Sequence, residues 1–160
     1  MTAVDSGTAK PLNGYPEYTE GTMEITLHRV NEAVHFEARN PEGNRVQIDG
    51  SEAIGGEGAG FRPMQLLLAA VAGCASMDFV PILKKQRQEV RDVSVRVRGD
   101  RTDGATPSPF TAIHIEWTVA GSVDREKAER AAELAVARYC SVAESLAPSI
   151  PITWSVLVKP

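Results

Sequence analysis

Hydrophobic positions change period several times along the chain, and the changes mark its elements. Met23, Ile25 and Leu27 alternate with Glu24, Thr26 and His28, the period of two that marks a half-buried strand. Val34, Phe36 and Ala38 alternate with His35, Glu37 and Arg39 in the same way, and Val46 and Ile48 mark a third short strand. Asn40-Pro41-Glu42-Gly43-Asn44 between them reads as a turn, with Pro fixing φ and Gly free to take positive φ. The simple reading is a three-stranded antiparallel meander. From Met64 to Ala75 the chain is apolar almost all round, interrupted by Gly73, as in a helix buried on most sides. Pro63 suits the first turn of that helix, where its missing donor costs nothing. Pro81 is expected to kink the helix or end its first part, with Ile82 to Gln88 continuing as an amphipathic, basic tail. Val93, Val95 and Val97 mark a strand, Gly99 to Pro109 a polar loop, and Ile113, Ile115, Trp117 and Val119 its hairpin partner. Asp124 is placed to cap a helix with apolar positions Ala128, Ala132, Ala135 and Tyr139, and with Val136 and Cys140 just round the cylinder. Pro148 and Pro151 end any helix beyond Cys140, and Trp154, Val156 and Val158 alternate in a last strand.

This order is α+β, without the strict strand–helix alternation of a doubly wound sheet. A helix as apolar as 64–75 is hard to cover with the small sheets of one chain, and an intertwined homodimer would supply the cover. The first stretch is rich in Pro, Gly, Asn, Thr and Ser and has no apolar period. It reads as a flexible leader over residues 1–21, ahead of a single domain over 22–160.

Composition narrows the function. A chain of 160 residues is close to one domain's worth, and 42% hydrophobic with 24% charged residues excludes disorder throughout. A net charge of −4 argues against a general nucleic-acid binder, which needs a basic face. The longest apolar run, Leu66 to Ala75, is half of the about 20 residues that a membrane span needs. Met1 to Lys10 is polar and lacks an apolar signal core, so the expected location is the cytoplasm, with no membrane partner. Gly55, Gly56, Gly58 and Gly60 invite a phosphate-loop reading. The G-x-G-x-x-G register fails at Phe61 and no Gly-Lys-Ser/Thr comes after it, which leaves a flexible loop leading into the helix. His28, His35 and His114 show no metal spacing, and no G-x-S-x-G elbow is present. No metal or cofactor is expected.

The two cysteines, Cys74 and Cys140, are too few for a disulfide scaffold. Cys74 falls on the stripe of Leu67 and Val71, and Cys140 on that of Ala132 and Val136, so both read as lying on apolar helix faces. They are either buried fillers, as free cysteines often are, or a redox pair. Their separation excludes a C-x-x-C motif but not contact in space.

The residues around them are more specific. Arg62-Pro63-Met64-Gln65-Leu66-Leu67-Leu68-Ala69-Ala70-Val71-Ala72-Gly73-Cys74, with Met77-Asp78 and Ile82-Leu83-Lys84-Lys85 after it, resembles the signature of the OsmC/Ohr superfamily. Arg138-Tyr139-Cys140-Ser141-Val142-Ala143 resembles its second motif, and the likeness is strongest to the YhfA-like branch. The resemblance covers residues 22–160. It implies an OsmC-like fold, an intertwined homodimer of antiparallel sheets wrapped around long central helices, with active sites at the dimer interface. It also implies a thiol-dependent peroxidase that reduces small hydrophobic organic hydroperoxides in oxidative or osmotic stress defence. In that reading Cys74 attacks, Cys140 resolves, and a thiol or dithiol reductant restores the pair.

Three positions depart from the pattern that the resemblance implies. His35 stands where the peroxidase branches place the thiolate-holding Arg, and its unperturbed pKa of about 6.5 leaves it mostly neutral at pH 7. Met64 and Gln65 stand where an orienting Glu is expected. An apolar stripe raises a thiol's pKa, so Cys74 needs a cation nearby to act as a thiolate, while Asp78, one turn on, opposes one if it faces the sulfur. The alternative function is a catalytically weak member that binds a hydrophobic small molecule at the dimer cleft.

Overall fold

The structure is a computed structural model that describes residues 21–160. The expected leader, apart from Gly21, lies outside the described residues. The described residues divide into two compact units, one ending at Gly60 and the other running from Phe61 to Pro160.

In the first unit, β1 (Thr26–Arg29), β2 (Phe36–Arg39) and β3 (Arg45–Ile48) form the expected antiparallel meander. The Asn40–Asn44 turn forms as its composition indicates: the Asn40 side chain accepts the Asn44 N–H at 2.7 Å and Gly43 adopts φ 85°. The first strand is shorter than its alternation suggests. It starts at Thr26, leaves Met23 93% exposed, and buries none of its four residues. β1 is an outer strand with one neighbour, and four residues paired on one side bury little.

The glycine-rich loop is knit together rather than loose. Asp49, 1% exposed, accepts N–H bonds from Gly50 at 2.7 Å, Glu57 at 3.0 Å and Ala59 at 2.9 Å. These convergent amides are the donors a phosphate would need, and an internal carboxylate already occupies them. The hydrogen bonds, with that from Ala59 foremost, hold the Asp49 carboxyl below its usual range against the opposing effect of burial.

The second unit contains α1 (Pro63–Lys85), β4 (Glu89–Arg101), β5 (Phe110–Ser122), α2 (Arg125–Leu134), a π turn (Ala135–Tyr139), α3 (Ser141–Glu144) and β6 (Ile152–Lys159). Pro81 does not end α1, which continues for a further turn. The carbonyl it leaves without its helical partner belongs to Met77, which is 79% exposed and so lies on the open side of the helix. By length and composition α1 is also long and apolar enough to cross a membrane, which the run of ten residues did not suggest. Its Val71, Ala75, Phe79 and Leu83 are instead fully buried in the core of this unit. Phe79 stacks on Trp117 at 4.9 Å, and the Trp117 indole donates to the Ser76 hydroxyl at 3.0 Å.

The sheet order is β4-β5-β6. β4 and β5 form the expected hairpin, with Ile113, Ile115, Trp117 and Val119 facing the core. A register shift at Val90/Asp92 lies opposite Gly121, whose φ of 136° and the 2.1 Å at which a Cβ there would meet the Glu89 carbonyl oxygen admit only glycine. β6 pairs with β5 in parallel, so this sheet is mixed and not purely antiparallel. Parallel pairing needs a long crossover, and the α2–α3 segment supplies it.

Candidate active site

α1 and the end of the crossover bring Cys74 and Cys140 together. Cys74 lies mid-helix, half-buried, one turn after Val71. The expected uninterrupted helix through Tyr139 does not form. α2 begins as read, with the Asp124 carboxylate accepting the Lys127 N–H at 2.9 Å. At Ala135 it widens into the π turn, and at Cys140 the backbone becomes extended, with φ −74° and ψ 97°. Cys140 is therefore not on the Ala132–Val136 stripe. It caps α3: its sulfur accepts the Ala143 N–H at 3.3 Å while its S–H donates to the Val71 carbonyl at 3.7 Å. A π turn adds a residue to the helical circuit and redirects the chain beyond it, which turns the Cys140 sulfur toward α1.

Cys140 is 4% exposed. Burial, first, and then a hydrogen bond and charge repulsion from Cys74 raise its thiol above the ordinary range against the amides of Ala143 and Val142. Cys140 thus packs against α1 one turn before Cys74. Cys140 is held as a neutral S–H donor, which suits condensation with an oxidised neighbour better than first attack. Tyr139, next in the chain, is exposed and stacks under the Arg138 guanidinium at 5.6 Å rather than packing in the core.

The other candidates have separate surroundings. Gln65 is the third residue of α1, and its Oε1 accepts the Arg62 N–H at 2.9 Å, half of a capping box. Nine residues separate it from Cys74, roughly 13 Å along the helix, so α1 does not bring them together. His35 belongs to the first unit. Its Nε2 lies 2.8 Å from Gln47 Oε1, Gln47 Nε2 donates to Glu37 at 2.8 Å, and Arg39 binds Glu37 at 2.6 Å. The hydrogen bond from Arg39, then that from Gln47, lower the Glu37 carboxyl. An ionised Glu37 only accepts, so it fixes the Gln47 amide, and Gln47 in turn fixes the His35 proton on Nε2. Sequence reading missed Glu37, Gln47 and Asp49. Glu37 and Gln47 carry one signal, since both sit on the polar side of neighbouring strands and are register partners.

The OsmC-like protein family matches residues 56–155. Protein YhfA of Escherichia coli strain K12 is 35% identical over 125 residues, which is 78% of this chain and 90% of that protein. A solved hypothetical protein of Aquifex aeolicus VF5 is 31% identical, with a TM-score of 0.72 over 88% of this chain and 100% of that one. The organic hydroperoxide resistance protein OhrB of Bacillus subtilis is 21% identical, with a TM-score of 0.57 over 84% of this chain and 97% of that one, a likeness of fold. The class is thus an α+β protein of the OsmC-like fold. The chain belongs to the OsmC-like family.

Proposed function

We propose that this chain is a thiol-dependent peroxidase for organic hydroperoxides, working as a homodimer in the cytoplasm in oxidative or osmotic stress defence. The seating of Cys140 on α1, where its S–H donates to the Val71 carbonyl one turn before Cys74, carries this reading. The Cys74 thiolate attacks one peroxide oxygen, the O–O bond breaks, and the alkoxide leaves as an alcohol on taking a proton. The sulfenic acid formed on Cys74 condenses with the Cys140 thiol, releasing water and forming a disulfide. A dithiol reductant then returns both thiols. The apolar cluster that Cys74 packs against, Val71 and Ala75 included, favours an organic over a hydrogen peroxide.

Gln65 acts here by fixing where α1 begins. His35, with its proton set by Gln47, is the proposed source of positive charge or of the leaving-group proton. The use of Gln65 as a cap favours a second reading, a weak peroxidase that chiefly binds a hydrophobic small molecule. The deciding experiment is turnover of cumene hydroperoxide and hydrogen peroxide with dihydrolipoamide, for wild type, Cys74→Ser, Cys140→Ser and His35→Ala. Faster consumption of the organic peroxide is expected, with no turnover in Cys74→Ser, and oxidised Cys74 accumulating past the sulfenic stage in Cys140→Ser. His35→Ala should lower kcat by about 10²–10⁴, the range of general acid catalysis. Equal inertness of wild type and Cys74→Ser removes the peroxidase reading and leaves the binding one.

The homodimer has support in α1. Ala69, Ala70, Met77 and Pro81 are exposed along one side of this apolar helix. Gly73 lies on the same side, and a Cβ built there meets nothing within 4 Å. Glycine inside a helix costs about 1 kcal/mol relative to alanine, and close approach of a second helix is a reason to keep it.

A further inference from the structure

We propose that Ser155 and His114 form a serine–histidine dyad that accepts acyl groups from small esters with an acidic leaving group. The dyad lies on the outer side of the β4-β5-β6 sheet. Ile113 and Ile115 turn into the core, with the cysteines, and His114 between them turns the other way. Two hydroxyls of β6 meet its ring: Nδ1 lies 2.8 Å from Thr153 Oγ1 and Nε2 lies 2.9 Å from Ser155 Oγ. Thr153 decides which nitrogen carries the proton. Its O–H donates to the Ile113 carbonyl at 3.4 Å, which leaves only lone pairs for the ring. In the neutral ring Nδ1 is therefore the donor and Nε2 the acceptor, so Ser155 donates its O–H to Nε2. A hydroxyl that donates to a base, itself oriented by a third group, is the arrangement that activates a serine. The parallel register of β6 creates it, setting Thr153 opposite His114 and Ser155 opposite Glu116. Arg98, exposed and the register partner of His114 on β4, brings positive charge to this face for a developing oxyanion. Ser155 Oγ attacks the ester carbon as its proton passes to His114 Nε2, and the bond to the leaving oxygen breaks as that group departs with the proton. Water, with His114 again as base, then frees the carboxylic acid and restores Ser155. No electron is transferred and neither cysteine takes part, so the dyad stands independently of peroxidase activity.

The test uses the full chain with both thiols alkylated. A fluorophosphonate, which stays on the serine it modifies, is added, and labelled peptides are mapped over time. Ser155 is expected to label about 10²-fold faster than Ser94, an exposed serine on the same face whose register partner is Thr118. This comparison lies within wild type and does not depend on a variant folding. His114→Ala should remove the advantage, Thr153→Val should reduce it by freeing the ring proton, and Thr153→Ser should keep it. The labelled chain should lose most of its p-nitrophenolate release from p-nitrophenyl acetate. Equal labelling of Ser155 and Ser94, unchanged labelling in His114→Ala, or full ester turnover by the labelled chain overturns the dyad. A chain that is inert to peroxide before alkylation yet labels selectively at Ser155 refutes the peroxidase alone.

Discussion

Asp49 comes directly after β3 at a place where an aspartate reads as an ordinary turn residue, and nothing in the local pattern shows its three amide partners. They meet it only after the chain closes from Gly50 round to Ala59, so the contact was illegible from spacing. The cysteines were half legible. Their motifs belong to the family pattern, whereas helical periodicity misplaced Cys140, because a single widened turn shifts every later position. Asp49 makes a prediction at this scale. Its folded pKa is depressed, so it stabilises the fold above the unfolded carboxylate value of about 3.9, and that contribution fades as pH falls through the lower folded value. Asp49→Asn presents an N–H₂ to amides that already donate, so it should melt below wild type near neutral pH. The gap should narrow as pH drops toward about 3. Melting curves across that range check this, and a gap of constant size would show that the charge is not what matters.

The elements themselves were read well wherever burial on one side imposes a period. β5 is the clearest case, with alternate residues from Ile113 to Val119 buried. β4 was read four residues short at its start, because Arg91 and Asp92 straddle the register shift and break the alternation. Pro81 misled because proline's cost depends on where its orphaned carbonyl points, which the sequence does not say. For α1 the open flank at Gly73 supplies a prediction. Gly73→Ala should leave the isolated helix slightly better formed, while Gly73→Leu and Met77→Asp should break a helix-mediated dimer. Light scattering after gel filtration is expected to show wild type as a dimer and the latter two as monomers with native circular dichroism. Wild type that elutes as a monomer, or variants that stay dimeric, would refute a dimer built on this face.

At the scale of the whole molecule, the α+β class and the element order came from the hydrophobic pattern alone. The direction of β6 did not, since a strand's alternation is the same whichever way it runs. That direction also orders events in time. The β4–β5 hairpin closes across the short Thr102–Pro109 loop, a local contact that forms early. β6 must wait for the entire α2–α3 crossover before it meets β5, and non-local parallel pairing is slow because loop closure precedes its reward. Pulse-labelled hydrogen exchange during refolding should therefore protect the β5 amides that face β4 before those of β6, and simultaneous protection would contradict this order. Cys140 travels inside the crossover. Until that loop closes, Cys74 is a solitary thiol on a forming helix, free to react with whatever oxidant or foreign thiol arrives first. On the proposed function, Cys74 gains its resolving thiol only once that crossover has folded.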